Sequence, residues 1–104
     1  MKIIVTGGCG FIASHIVDKL VEKGHEVVVI DNMGTGKKER LNSRAKLIVA
    51  DICESKKLND IFLEEKPRMV VHTAAQVMLR KSIEEPIFDA TTNIIGTINV
   101  LEAC

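Results

Sequence analysis

A glycine-rich turn between a short apolar run and a helical pattern is the feature that most constrains the fold of this chain. Residues 2–6 (KIIVT) have the β-branched composition of a strand, and glycines follow at positions 7, 8 and 10. From Phe11 onward apolar residues recur at helical spacing. A strand that turns into a helix through residues without side chains is typical of the first βα unit of an α/β fold.

The rest of the chain repeats the alternation of strand and helix. EVVVID is apolar at four consecutive positions, which predicts a strand that is covered on both faces, as in a parallel sheet. We predict strands at residues 2–6, 26–31, 46–50 and 69–72, and helices at 11–23, 55–66 and from Pro86 onward. This order predicts a partial Rossmann-type, doubly wound parallel sheet of about four strands with flanking helices.

Residues 1–104 are expected to form only part of one domain, because the last predicted helix normally leads back into another strand in such a fold. The chain is long enough to form one hydrophobic core. We therefore expect the N-terminal portion of a domain that is incomplete at its C-terminus.

Composition argues against several classes of function. The chain carries 14 basic and 14 acidic residues, and this neutral balance argues against a nucleic-acid partner. Its apolar runs are too short to cross a membrane. Three cysteines without CxxC spacing predict neither a disulfide framework nor a metal site, and they favour a reducing cytoplasm.

Two phosphate-binding patterns overlap in the turn. Gly8, Gly10 and Ala13 fit G-x-G-x-x-A, whereas Gly7, Gly10 and Ala13 fit the wider spacing G-x-x-G-x-x-A. In either pattern the glycines allow a sharp turn and a close approach of backbone to a pyrophosphate, and the third small residue lets the helix pack on the strand. Amides at the helix N-terminus would then face the phosphates.

Acidic residues at strand ends extend this interpretation. Asp31 lies twenty-one residues after Gly10, where a carboxylate that binds the ribose hydroxyls is expected, and it would disfavour the 2′-phosphate of NADP. Asp51 and Ile52 follow the third strand, and the small residues of HTAAQ follow the fourth. The alternatives are a simple tight turn, solvated aspartates and a close contact between helix and sheet.

Taken together, the segments TGGCGFIASH, DNMGTGKKERL, ADI, VVHTAAQ and SIEEPIFDATTNIIGTINVLEAC resemble, in order, the N-terminal motifs of the extended short-chain dehydrogenase/reductases. Within that family they are most similar to the UDP-glucose 4-epimerases, also called UDP-galactose 4-epimerases. The resemblance covers the whole chain. Ala13 is a departure, since a third glycine is usual in the family.

The resemblance implies NAD as the cofactor and a UDP-sugar as the substrate of the full-length family. The implied NAD-binding residues are Gly7, Gly10, Phe11 and Ile12 at the pyrophosphate, Asp31, Asn32, Thr35 and Gly36 around the adenosine ribose, Asp51 and Ile52 beside the adenine, and Thr73, Ala74, Ala75, Gln76, Thr92 and Asn93 around the nicotinamide half.

The family's catalytic Tyr-x-x-x-Lys pair is missing, because the chain contains no tyrosine. We therefore expect no catalytic residue and no epimerase activity in this chain alone. Alternatives are a dTDP-glucose 4,6-dehydratase or another enzyme that modifies sugar nucleotides, a non-catalytic NAD-binding module, and an inert fragment. The resemblance also implies self-association through the helix from Pro86, although its apolar residues would equally suit packing on the sheet.

Overall fold

The computed structural model of the chain describes residues 1–34, 37–75 and 79–104, which form a parallel sheet with helices on both faces. The strands are β1 Lys2–Thr6, β2 Glu26–Asp31, β3 Lys46–Val49 and β4 Met69–His72. The helices are α1 Phe11–Glu22, α2 Ser55–Glu65, α3 Leu79–Glu84, α4 Pro86–Ala90 and α5 Gly96–Ala103, with a 3₁₀ turn at Lys38–Arg40 and a π-turn at Thr91–Ile95. The predicted partial Rossmann-type sheet is confirmed.

The strand order of the sheet is β3-β2-β1-β4. Strands β1 to β3 step outward in one direction, and β4 returns to the other side of β1. Thr6 is therefore paired with Ile30 on one side and with His72 on the other. The order reverses between β1 and β4, and the loops that follow these two strands separate there. Ligands of doubly wound sheets bind at such a reversal.

Two apolar layers cover the sheet, because successive side chains of a strand point to opposite faces. One layer holds Ile3, Val5, Val27 and Val29 with the α1 residues Ala13, Val17 and Val21. The other holds Ile4, Val28 and Ile30 with residues of α2 and α5, namely Leu58, Ile61, Phe62 and Val100. The central strands are buried on both faces, as their continuous apolar sequences predict.

Helix α1 packs through a narrower stripe than the sequence predicts. The sequence predicts one broad apolar face from two rows of residues four apart, Ile12, Ile16 and Leu20 beside Ala13, Val17 and Val21. Ala13, Val17 and Val21 are buried, whereas Ile12 is 73% exposed. Ile12 lies in the first turn, beyond the edge of the sheet. The helix ends before Gly24, whose φ of +88° is the left-handed conformation expected at this position.

Helix α4, the π-turn and α5 form one continuous helical segment, which we call the composite helix. Gly96 lets it approach the loop after β3, because a Cβ added there would lie 2.6 Å from Ile52 Cδ1. Most of its apolar side chains face away from the sheet: Ile87, Phe88, Ile94, Ile95, Ile98 and Leu101 are exposed. Among the described residues no helix is long and apolar enough to span a bilayer.

An ion cluster joins three elements at the amino-terminal edge of the sheet. The Glu65 side chain is only 6% exposed, and it accepts hydrogen bonds from Lys46 Nζ at 2.8 Å and Lys2 Nζ at 3.3 Å. The hydrogen bond from Lys46 is the main reason that the pKa of Glu65 is lowered from its ordinary value of 4.5. The cluster ties the end of α2 to the starts of β1 and β3.

The variant Glu65→Gln tests this cluster. We expect it to lower the free energy of unfolding at pH 7 by about 1–2 kcal/mol, since it removes the charge from two hydrogen-bonded ion pairs. A carboxyl whose folded pKa is lowered contributes stability above its unfolded pKa and loses it as the pH falls through the folded pKa. The difference between variant and wild type should therefore shrink below about pH 4.5 in urea titrations.

The matched control is Glu64→Gln, which removes the same charge at the exposed neighbouring position of α2. Its unfolding curve should stay close to that of the wild type. If the two variants had equal unfolding curves at every pH, the ion pairs of Glu65 would contribute no more to the free energy of unfolding than the exposed carboxylate of Glu64.

Candidate functional site

The candidate site is a cavity of about 570 Å³ at the carboxyl edge of the sheet, where the strand order reverses. Its walls come from the loops after all four strands, from the first turn of α1 and from the composite helix. The lining residues are Gly7, Gly10, Phe11, Ile12, Ala13, Ile30, Asp31, Asn32, Arg40, Ala50, Asp51, Ile52, Thr73, Ala74, Ala75 and Thr92.

The glycine turn after β1 is held by backbone hydrogen bonds. Gly7 N–H donates to Ile30 O at 2.7 Å, and Gly10 N–H donates to Gly7 O at 3.0 Å. Gly7 has a φ of +73°, and a Cβ added there would lie 2.9 Å from the N and Cα atoms of Ala74. Gly7 is therefore required both by the turn and by the close approach of the loop after β4.

Gly8 has a different role from Gly7 and Gly10. It is buried and does not line the cavity, and a Cβ added there would lie 2.6 Å from Val29 Cγ1. Gly8 thus lets the turn pack on the sheet, while Gly7, Gly10 and Ala13 line the cavity. Of the two overlapping patterns in the sequence, the wider spacing describes the cavity.

The first turn of α1 presents backbone donors to the cavity. Gly10 is the N-cap and has no side chain, so the helix starts without a side-chain hydrogen bond to its amides. The N–H groups of Phe11 and Ile12 have no acceptor within the helix. Together with the helix dipole they form a site of positive potential that suits a negatively charged group.

Asp31 connects β2 to the glycine turn. Its carboxylate is 7% exposed and accepts hydrogen bonds from Cys9 N–H at 3.0 Å and from Met33 N–H at 2.7 Å. One bond reaches each oxygen, so each oxygen keeps a further lone pair. The carboxylate can therefore accept hydrogen bonds from a ligand in the cavity as well.

The thiol of Cys9 lies buried behind this carboxylate. Burial and, second, the negative charge of Asp31 raise the pKa of Cys9. A raised pKa disfavours the reactive thiolate, so the position at a helix N-terminus does not activate this cysteine.

Asp51 and Ile52 form the opposite side of the cavity. Asp51 Oδ1 accepts a hydrogen bond from Cys53 N–H at 2.9 Å, which closes a turn after β3. Ile52 is buried beneath Gly96, and its carbonyl oxygen accepts from Asn99 Nδ2 at 2.9 Å. Contacts with the composite helix therefore hold this wall.

The loop after β4 forms the third wall. Thr73 N–H and Ala74 N–H donate to Thr6 Oγ1 at 3.1 and 3.2 Å, and Thr73 Oγ1 donates to Thr6 O. Thr92 lines the cavity from the π-turn. Asn93 is not among the lining residues, and its Nδ2 donates to Asp89 Oδ1 at 3.1 Å.

Twelve of the sixteen site residues expected from the sequence line this one cavity. Thr35, Gly36 and Gln76 lie outside the described residues, and Asn93 lies behind the wall. The cavity adds Ala13, Ile30, Arg40 and Ala50. Ile30 and Ala50 directly precede Asp31 and Asp51 in the sequence. Their positions near the ends of predicted strands were therefore a signal that could have identified them as lining residues.

Arg40 is the one cation among the lining residues that the structure describes. It lies in the 3₁₀ turn, and its guanidinium is 5.7 Å from the centre of the Phe11 ring. This contact holds the side chain over the N-terminus of α1. In the sequence Arg40 belongs to a basic run that Glu39 interrupts, a pattern that favours a solvated loop, so sequence alone could not place it in the cavity.

The variant Gly7→Ala tests the contact between the two loops, and Gly24→Ala is its matched control. Both glycines have positive φ, but a Cβ at Gly24 would meet no atom within 4 Å. Gly24→Ala should cost about 1 kcal/mol from backbone strain alone. Gly7→Ala should cost about 1–3 kcal/mol more, because Ala74 must also move. If chemical denaturation showed equal losses of unfolding free energy for the two variants, the close contact between Gly7 and Ala74 would be contradicted.

Comparison with known proteins places the chain in a family. A sequence model of the family described as GDP-mannose 4,6 dehydratase matches residues 4–104. The UDP-glucose 4-epimerase of Mycolicibacterium smegmatis is 39% identical over 108 residues, which cover 99% of this chain and 34% of that protein.

Solved structures give the same result. The UDP-glucose 4-epimerase of Thermotoga maritima with UDP-glucose matches with a TM-score of 0.96 and 47% identity, over 99% of this chain and 33% of that one. The UDP-glucose 4-epimerase of Thermus thermophilus in complex with NAD matches with a TM-score of 0.95 and 41% identity. This match covers 100% of this chain and 33% of that one.

The chain thus spans about a third of the length of the relatives that it matches. The matched residues of this chain include the glycine turn and the cavity described above. The match confirms the resemblance to the extended short-chain dehydrogenase/reductases. This chain belongs to the GDP-mannose 4,6 dehydratase family of these proteins, and it is similar to the N-terminal part of the UDP-glucose 4-epimerases.

Proposed function

We propose that this chain is the NAD-binding part of a nucleotide-sugar epimerase of the UDP-glucose 4-epimerase type. The observation that carries the proposal is the convergence of three groups on one cavity: the glycine turn, the free amides of α1 and the carboxylate of Asp31. The relatives named as UDP-glucose 4-epimerases, one of them in complex with NAD, support it.

The pyrophosphate and the adenosine ribose fit the side of the cavity formed by β1, β2 and α1. The amides of Phe11 and Ile12 would donate to the phosphates, while Gly7 and Gly10 let the backbone approach them. The free lone pairs of Asp31 would accept hydrogen bonds from the ribose hydroxyls. Asn32, Thr35 and Gly36 are proposed to complete the ribose site.

The two bases of NAD are assigned to the remaining walls. Asp51 and Ile52 would lie beside the adenine. The loop after β4 and the π-turn would line the nicotinamide half, through Thr73, Ala74, Ala75, Gln76 and Thr92, with Asn93 supporting this wall from behind. Arg40 adds positive charge near the phosphates, as its place over Phe11 suggests.

The contribution of this chain to the reaction is to bind and orient the cofactor and to shield one of its faces. Bound NAD supplies a hydride acceptor and donor for C4 of the sugar. The chain has no tyrosine, so it cannot supply the general base of the family. We assign that base, the domain that binds the UDP-sugar and the sugar specificity to protein outside these residues.

A dehydratase of the 4,6 type is the second candidate, because the matching family model carries that description. Both reactions would use the same NAD-binding part. A non-catalytic NAD-binding module remains the third interpretation, which the absence of tyrosine favours for the chain as it stands.

Two further assignments belong to this proposal. We assign self-association to the exposed apolar face of the composite helix, where Ile87 is 82% exposed. We assign the protein to the cytoplasm, because its three cysteines are free, as in a reducing compartment.

Nucleotide binding tests the proposal directly. By calorimetry the chain should bind NAD more tightly than NADP. Asp31→Asn should weaken NAD binding about tenfold through the loss of charge-assisted hydrogen bonds, and it should shift the ratio of affinities toward NADP. The control Asp60→Asn, at an exposed position of α2, should leave both affinities unchanged. Failure of the wild-type chain to bind NAD at millimolar concentration would overturn the proposal.

A second measurement separates binding from catalysis. The purified chain with NAD should not convert UDP-galactose to UDP-glucose, because it lacks the tyrosine that acts as the base in the family. Measurable conversion would show that the chemistry does not need a tyrosine from elsewhere.

A further inference from the structure

His72, the last residue of β4, joins two threonines on different elements. Its Nδ1 is 2.6 Å from Thr6 Oγ1 at the end of β1, and its Nε2 is 3.0 Å from Thr97 Oγ1 in α5. The imidazole is half-buried, and Thr6 is fully buried. The roles proposed for the glycine turn and for the carboxylate of Asp31 do not account for a titratable imidazole at this junction.

The hydrogen bonds around Thr6 determine which ring nitrogen carries the proton. Amides can only donate, and those of Thr73 and Ala74 both donate to Thr6 Oγ1, although the Thr73 N–H shares its hydrogen with Thr6 O at 3.1 Å. The hydroxyl proton of Thr6 must therefore point to His72 Nδ1. That nitrogen acts as an acceptor, so it carries no proton.

The other ring nitrogen continues the series of hydrogen bonds in the same direction. A neutral imidazole without a proton on Nδ1 carries it on Nε2, which donates to Thr97 Oγ1. Thr97 Oγ1 in turn donates to Asn93 O at 2.7 Å. Every polar hydrogen between the amide of Ala74 and the carbonyl of Asn93 thus has one partner, and the series runs from the cavity wall to the π-turn.

Protonation of His72 would break this order. A proton on Nδ1 would add a third donor to Thr6 Oγ1, which has only two lone pairs, so the Ala74 amide would lose its acceptor or the Thr73 amide would keep only Thr6 O. Burial acts in the same sense, because it lowers the pKa of His72. The neutral ring is the form that fits the structure.

Few charges on the neighbouring elements oppose this preference. The ionisable residue of β1 is Lys2, at the far end of the strand from Thr6, and β4 carries none besides His72. On the composite helix, Asp89 accepts hydrogen bonds from Ser82 and Asn93, and Glu102 lies in the last turn. Burial is the resolved cause of the pKa shift, and none of these charges contributes to it.

The position of the cavity wall depends on this series of hydrogen bonds. Thr73 and Ala74 line the cavity, and the backbone of Ala74 is the part that would meet a Cβ at Gly7. A shift of these amides away from Thr6 would change the spacing between the loops after β1 and β4.

We propose that His72 is a positioning residue that, as the neutral Nε2–H tautomer, acts through Thr6 to hold the Thr73–Ala74 wall for the nucleotide and connects that wall through Thr97 to the composite helix. The inference rests on the proposed NAD site for its link to binding. The tautomer and the hydrogen bonds stand independently of the ligand.

The first test uses the chain without nucleotide. Nitrogen-15 NMR of the His72 ring should show an unprotonated Nδ1 and a protonated Nε2 at pH 7. Amide hydrogen exchange at Ala74 should be slow at pH 7 and should speed up as His72 titrates, beyond the intrinsic effect of pH. Exchange at Thr73 should change less, because this amide also donates to Thr6 O. A proton on Nδ1 at neutral pH, or amide exchange that ignores the titration, would overturn the proposal.

The second test is the pH profile of NAD affinity. Burial lowers the pKa of His72, so affinity should fall in acid, below the ordinary pKa of histidine, as the ring becomes protonated, while circular dichroism shows that the fold persists. A constant or rising affinity toward pH 5 would contradict the role of His72.

Variants separate positioning from simple packing. Asn at position 72 can accept the Thr6 hydroxyl proton but cannot titrate, so His72→Asn should keep NAD affinity within about threefold at pH 7 and remove the pH dependence. Thr6→Val should weaken binding about tenfold, and Thr6→Ser should restore it. The control His25→Asn should keep the wild-type profile, because His25 lies at the opposite edge of the sheet and contacts Met1.

The outcomes distinguish this proposal from the proposed function. If the wild-type chain binds no NAD at any pH, the proposed function fails while NMR and amide exchange still decide the role of His72. If NAD binds but His72→Asn keeps the wild-type pH dependence, the positioning role fails alone.

Discussion

The hydrogen bond from Cys9 N–H to the buried carboxylate of Asp31 is the interaction on which the site depends. It joins the turn after β1 to the end of β2, and the second oxygen of the same carboxylate holds Met33. A buried charge is tolerated because backbone donors solvate it. Since both bonds use main-chain amides, they define where the backbone lies and leave the remaining lone pairs directed to the cavity.

The two edges of the sheet are held together in different ways. At the amino-terminal edge, Glu65 attracts two lysines across three elements, with charge as the main force. At the carboxyl edge, neutral hydroxyls, amides and one imidazole form directed hydrogen bonds around Thr6. Attraction between charges thus holds the amino-terminal edge, whereas hydrogen bonds of defined direction between neutral groups hold the junction at Thr6.

Much of the fold and site follows from local sequence. Four strands could be predicted because continuous apolar runs bounded by Gly and polar residues identify buried parallel strands, and the boundaries of β1, β2 and β4 agree with the structure. The spacing from Gly10 to Asp31 likewise indicated residues that line one cavity. The places of Arg40 and Asn93 could not be predicted, because each depends on a partner distant in space or on a helix register shifted by the π-turn. The distinct role of Gly8 depends on Val29, which only the folded sheet brings beside it.

The glycine N-cap of α1 has a consequence for the whole molecule. A helix whose first amides lack side-chain acceptors gives up about a few tenths of a kcal/mol of stability that a Ser or Asp at Gly10 would supply. An anion bound there returns that stability, and at a hundredfold excess over its dissociation constant any ligand of the native state adds about 2.7 kcal/mol. Under the proposed function, the melting temperature of this chain rises with nucleotide concentration and reports how much of the protein is loaded.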